Sequence, residues 1–208
     1  MTLSSGVNGS SNTPFKFSSV STSATHSCGI IDGTNEALCW SSSTTNVNQF
    51  GELNVPKRKA FKQIVASYHH SCGIDTEDNL LCWGKVASTP EQTPVPPNTK
   101  AKEVAIGDGF ICAVKLSDDT VQCWNSLFLS DYVTHDQLIT NPLYKCKNLS
   151  ANGYQVCGLC LDDSTGLYET VRCSGLEIDQ TTEAQYNLGY DVGTGFYAPP
   201  ALSAALVA

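Results

Sequence analysis

The chain has 208 residues, of which 15% are charged, with 20 Asp and Glu against 12 Lys and Arg for a formal net charge of −8. That balance leaves no basic stripe of the kind nucleic-acid phosphates require, and it excludes an anionic membrane surface on the same ground. Ten cysteines, an even number at recurring spacings, point to a disulfide framework and therefore to an extracellular or luminal protein.

The first residues, MTLSSGVNGSSNTPFKF, have neither a basic start nor an apolar run, so they are not a secretory signal. The chain therefore reads as a mature or partial product, or as one whose export signal lies outside it. Residues 1–16 are expected to be an extended polar tail. No stretch approaches the roughly 18–20 apolar residues of a membrane span, and the terminal PPALSAALVA is too short for one.

Four units then follow in register: FSSVSTSATHSCGIIDGTNEALCW (17–40), FKQIVASYHHSCGIDTEDNLLCW (61–83), AKEVAIGDGFICAVKLSDDTVQCW (101–124) and CKNLSANGYQVCGLCLDDSTGLYETVRCS (146–174). Their leading cysteines, Cys28, Cys72, Cys112 and Cys157, are separated by 44, 40 and 45 residues, the period of one propeller blade. Each unit predicts short strands. Ile64-Val65-Ala66 and Val104-Ala105-Ile106 read as buried first strands, Phe110–Val114 as a second and Thr120–Trp124 as a third. Between the second and third lie Asp/Asn/Gly/Ser clusters, at 32–35, 75–79 and 117–119, that mark hairpin turns.

The two cysteines of each unit lie symmetrically about that turn. Cys28 and Cys39, Cys72 and Cys82, and Cys112 and Cys123 should then face each other across a hairpin, within disulfide reach. Trp40, Trp83 and Trp124 follow the second cysteine, point to the opposite face, and are expected to pack between neighbouring blades. In the fourth unit Cys157 and Cys173 match the pattern around a longer turn, Cys146 and Cys160 are left over to pair with each other, and Ser174 replaces the tryptophan. A zinc site would need knuckles with tetrahedral partners, and Cys157-Gly158-Leu159-Cys160 is a lone CxxC.

These units resemble the repeat of the regulator of chromosome condensation family of propellers, and more closely its cysteine-paired extracellular variants: the ectodomains of CRINKLY4-type receptor kinases and secreted bacterial relatives. The resemblance rests on His26-Ser27-Cys28, His70-Ser71-Cys72, Gly107–Cys112, Cys82-Trp83-Gly84 and Asn48-Gln49-Phe50-Gly51, and it covers about residues 15–175. It implies propellers of about seven blades, whereas this chain supplies four. Ser41 and Asn125 also follow Trp40 and Trp124 where the family has glycine. The nucleotide-exchange role of nuclear members is not carried over, because hairpin disulfides do not suit a reducing nucleus.

The resulting expectation is an all-β chain: a tail at 1–16, a four-blade domain at 17–175, and a tail or partial blade at 176–208. An open fan of blades leaves two raw faces and unpaired strand edges. The chain is then a fragment of a longer propeller, half of a ring closed by two chains, or a subunit that polymerises by donating an edge or tail.

Candidate chemistry is sparse. His26, His69 and His70 look like a metal or catalytic set, yet His26 and His70 hold one repeat position that Phe110 and Gln155 occupy elsewhere, which makes the position structural. His135 is isolated and expected at the surface. The run Asp75–Asn79 and the pair Asp118-Asp119 lack the spacing and glycine of a calcium loop, and such residues suit hairpin turns. No GxSxG, phosphate loop or Cys–His nucleophile is present, so no catalytic residue, metal or cofactor is expected. Asn8-Gly9-Ser10 and Asn148-Leu149-Ser150 are glycosylation sequons, and Ser/Thr-rich tracts at 18–27 and 41–45, with the Pro-containing 89–97, suit O-linked sugars. The function expected is a non-enzymatic structural glycoprotein of an extracellular filament or coat, whose partners are copies of itself. The alternative is a ligand-binding propeller module, a receptor ectodomain fragment or secreted inhibitor, contacting another extracellular protein through loops 41–56 and 85–100. A carbohydrate- or calcium-dependent adhesin is a third reading.

Overall fold

The structure is a computed structural model and describes residues 15–42, 48–85, 95–124, 144–153, 155–162, 165–178 and 185–191. All regular structure among them is β. The first sheet holds β1 (Phe17–Thr22), β2 (Ser27–Ile31) and β3 (Ala37–Trp40), and the second β4 (Phe61–Ala66), β5 (His70–Asp75) and β6 (Leu80–Gly84). The third holds β7 (Ala101–Ile106), β8 (Ile111–Lys115) and β9 (Val121–Trp124). The fourth has four strands: β10 (Cys146–Asn152), β11 (Gln155–Leu161), β12 (Tyr168–Ile178) and β13 (Gln185–Asp191). Each sheet is an antiparallel meander in sequence order, one propeller blade, and the four do not close into a ring. Strand β13 lies within the segment 176–208, expected to be a tail or partial blade, and pairs with β12 from Arg172↔Asp191 to Ile178↔Gln185.

Hairpin parity places the cysteines. Ile31, Asp75 and Lys115 donate their N–H groups to the carbonyls of Glu36, Asn79 and Thr120, at 2.8, 3.0 and 2.9 Å. Antiparallel pairs alternate between hydrogen-bonded and non-hydrogen-bonded, so three residues further along each strand the opposed pair is non-hydrogen-bonded, with the closer Cα atoms. Cys28↔Cys39, Cys72↔Cys82 and Cys112↔Cys123 occupy those positions, with Cα separations of 4.0, 4.1 and 4.0 Å, and each pair is disulfide-bonded. In the fourth blade Cys157–Cys173 joins β11 to β12, and Cys146–Cys160 joins β10 to β11.

The same turns link the blades. Asn35, Asp78 and Asp119 hold positive φ of 58°, 69° and 64°, a conformation Asn and Asp tolerate. Their carbonyls accept the N–H of Phe61, Ala101 and Cys146, the first residues of the next blades, at 2.7, 3.0 and 2.9 Å.

Three apolar clusters fill the spaces between successive blades. Cys28, Ile30 and Cys39 of the first blade meet Phe61, Ile64 and Trp83 of the second. Cys72, Ile74 and Leu80 of the second meet Ala101, Val104 and Trp124 of the third. Cys112, Val114 and Val121 of the third meet Cys146, Val156 and Cys160 of the fourth. Each blade thus has a trailing face that carries its hairpin disulfide, and the leading faces of the second, third and fourth blades pack on the preceding blade's disulfide. Cys146–Cys160 departs from this rule: it lies on the leading face of the fourth blade, where Ser174 is fully buried in the tryptophan's repeat position.

Candidate interaction surfaces

The blade rule identifies two faces with no neighbouring blade among the described residues. Val20, Ile64 and Val104 hold one repeat position, opposite Gly29, Gly73 and Ala113. Ile64 and Val104 are 5% and 1% exposed beneath the preceding blade, whereas Val20 is 60% exposed. Phe17 packs at a tilt against Trp40, at 5.2 Å between centroids, and against Phe15 at 6.4 Å, so the leading face of the first blade is an aromatic patch. Phe61 and Trp83 repeat the pair at 6.0 Å, but there Trp83 is buried against the first blade. Of the three tryptophans expected between blades, Trp83 and Trp124 lie there, whereas Trp40 lies on a face with no blade before it among the described residues.

The other such face is at the far end, where Cys173 is 3% exposed. Strand β5 is buried along its whole length because blades stand on both sides. Strand β11 alternates: Val156, Gly158 and Cys160 are buried towards the third blade, while Cys157 and Leu159, on the trailing side, are only half-buried.

A groove of ≈ 650 Å³ runs along the outer edge of β3, lined by Phe15, Trp40, Val55, Pro56, Lys57 and Arg58 among others. Lys57 and Arg58 are exposed, and Lys59 is tied to Asp75 at 2.9 Å. This basic run beside an aromatic wall was not singled out in the sequence; three consecutive cations in an acidic chain were the available signal. Of the loops expected to make contacts, residues 43–47 and 86–94 lie outside the described residues, and so do His135 and Asn8.

His26 and His70 sit inside blade contacts. His26 is 3% exposed; its Nε2 lies 2.7 Å from Ser71 Oγ on the next blade, and its Nδ1 3.1 Å from Thr25 Oγ1. Ser71 Oγ also donates to the Glu52 carbonyl at 3.2 Å, which accepts from Trp83 Nε1 at 2.9 Å. Burial lowers the His26 pKa, against the pull of Glu52. His70 is 1% exposed, and burial pushes its pKa down to about 4 despite a hydrogen bond with the Phe110 backbone. Phe110, in the same repeat position, is equally buried, as a packing site predicts. His69 stands edge-on to Phe50 and Tyr68 at 4.4 and 4.1 Å.

Among the described residues no three His, Cys, Asp or Glu gather as metal ligands. Asp75, the start of the acidic turn, is spent internally. It accepts Lys59 Nζ, Asn79 Nδ2 and the backbone N–H groups of Glu77 and Asn79, all at 2.8–3.1 Å. Burial alone would raise its pKa, but these donors hold it at about 2. The exposed Asp118 is likewise lowered, first by Thr120 and then by Lys115. Asn148 is exposed at φ 53°, in the irregular part of β10, so its side chain is open to modification.

Comparison with known proteins places this architecture. Residues 61–85, the second blade, match the regulator of chromosome condensation repeat. The entire ectodomain of the Physcomitrella patens receptor kinase CR4 is similar in structure, with a TM-score of 0.57 and 24% identity over 81% of this chain and 41% of that one. The CRINKLY WD40 ectodomain of the Arabidopsis thaliana receptor kinase ACR4 gives 0.56 and 23%, over 85% and 51%. Prp20p of Saccharomyces cerevisiae gives 0.60 and 13%, over 86% and 50%. The fold is that of these repeat propellers, and the chain spans about half the length of the solved propellers it matches.

Proposed function

We propose that the chain is a non-enzymatic, protein-binding propeller segment that serves as a structural subunit of an extracellular assembly, built by blade docking and tail donation between copies. The observation that carries this reading is the exposure of Val20 at a position where two blades later in the chain bury the same site. An apolar sheet face with a packed Phe–Trp pair is costly in water and favourable against another blade. Five disulfides and similarity to two receptor ectodomains support an extracellular setting. Exposed Asn148, with Asn8, would carry glycans there. The test is the mass and shape of native, unreduced protein by light scattering after size exclusion, with negative-stain imaging. Rings, chains or fibres support the reading, and a stable monomer at high concentration removes it.

The groove along β3 favours a second reading, a binding module for another extracellular protein. The outward backbone edge of β3 would pair with an extended segment, and Lys57 and Arg58 would favour an acidic one. A monomer that captures acidic peptides, and loses them on Lys57→Glu, would select this reading.

A further inference from the structure

We infer that the leading face of the first blade docks on the trailing face of the fourth blade of a second copy, head to tail; this rests on the assembly reading above and gives it a partner and a polarity. The chain displays three times what covers a leading face. At each internal contact it is the disulfide-bearing trailing face of the blade before it. The first blade has the matching residues, with Phe17 and Trp40 in the positions of Phe61 and Trp83, and Val20 in that of Ile64. The fourth blade offers the matching seat. Cys157 and Cys173 are bonded in the positions of Cys28 and Cys39, and Leu159 stands in that of Ile30.

Charge agrees with this polarity. Strands β1 and β3 of the docking face, and β11 of the seat, carry no charged residue, so the centre of the contact is free of ions; the charges of the seat, Glu169, Arg172 and Glu177, are all on β12. Leading-to-leading docking would oppose two aromatic patches and leave both seats empty, and none of the three internal contacts has that form. A heterologous contact of this kind either closes or propagates. Because the chain covers 41–51% of the two receptor ectodomains, two copies supply about one ring's complement of blades.

The experiment uses two blocked variants. Val20→Asp places a carboxylate on the docking face, at a site 60% exposed in the single chain and therefore tolerant of charge. Leu159→Asp does the same to the seat. Circular dichroism and a free-thiol count of zero establish that each folds, and Leu159→Ser replaces Leu159→Asp if the latter does not. Sedimentation then reads association of wild type, of each variant alone, and of an equimolar mixture. Each variant alone should lose at least about tenfold in self-affinity and run as a single chain. The mixture should form dimers and stop, because only one docking face and one seat remain intact. If wild type associates but Leu159→Asp still dimerises, or the mixture fails to pair, head-to-tail docking is overturned while the assembly reading stands. A wild type that stays single at every concentration overturns both.

Discussion

Phe61 fills the space that a side chain at position 73 would need: a Cβ on Gly73 would stand 2.6 Å from Phe61 Cδ1 and 3.1 Å from the Gln63 carbonyl oxygen. The same arrangement holds Phe17 over Gly29, while the third blade divides the volume between Ala101 and Ala113, and the fourth sets Cys146 in the Phe position and Gly158 in that of Gly73. One site between the first two strands is thus filled in three ways, each time with a compensating partner.

That complementarity predicts coupled energetics. Gly73→Ala should cost about 1–3 kcal/mol by overpacking. Phe61→Ala should cost about 3–5 kcal/mol through the cavity it leaves. The double variant, which copies the third blade, should lose less than the sum of the two. Urea midpoints with disulfides intact measure all three, and strict additivity would show that the two side chains do not compete for one volume.

Acid should loosen the second and third blades before it unfolds the rest. His70 titrates at about 4 in the fold, below the ordinary value of 6.5, because burial disfavours its charged form. Its contribution is therefore complete above pH 6.5 and is lost as pH falls towards 4, amounting to about 3 kcal/mol at most. His26 and His69 are lowered in the same direction. His70→Phe, which copies Phe110, should flatten the stability profile between pH 6.5 and 4. An unchanged slope in that variant would assign the acid sensitivity elsewhere.

Asp75 gives the opposite signature. Its folded pKa of about 2 lies below the ordinary 3.8, so its stabilisation is present above pH 3.8 and lost as pH falls through 2. At neutral pH, Asp75→Ala leaves the N–H groups of Glu77 and Asn79 without their acceptor and should cost about 1–3 kcal/mol. A chelator should leave the melting temperature of the native protein unchanged. A fall on chelation would mean that the turn holds a cation.

The turns test the blade links. Asn35→Gly keeps the left-handed turn and should change stability by less than about 0.5 kcal/mol, while Asn35→Val should cost about 1–2 kcal/mol. Amide exchange of Phe61, whose N–H the Asn35 carbonyl accepts, should accelerate in the valine variant alone. Equal exchange in both would separate the link from the turn.

The repeat and its period were plain in the sequence because cysteine and tryptophan are rare and recur at fixed offsets. The faces were less legible. FSSVST is mostly polar, and only its alignment with FKQIVA and AKEVAI shows that Val20 stands where Ile64 and Val104 are buried. The Phe–Gly exchange lies across strands, so no local pattern exposes it. Strand β13, QYNLGYD, lacks the cysteines that marked the other units, and its pairing with β12 is a tertiary fact. His26 illustrates the reverse case: the repeat position identified a packing residue, but the hydrogen bond to Ser71 on the next blade needed coordinates.

The position of the five disulfides governs how this chain would respond to tension. All of them close loops within a blade, with sequence separations of 10–16 residues, and none ties one blade to another. A pull on the two ends is therefore resisted between blades by apolar contact, backbone links and side-chain hydrogen bonds such as His26 to Ser71, while each hairpin is locked against unravelling. Under oxidising conditions the protein should lengthen in a few blade-sized steps, each short of its full contour by the length held behind a disulfide. Reduction would release those reserves, so extension under load would report the redox state of the surroundings.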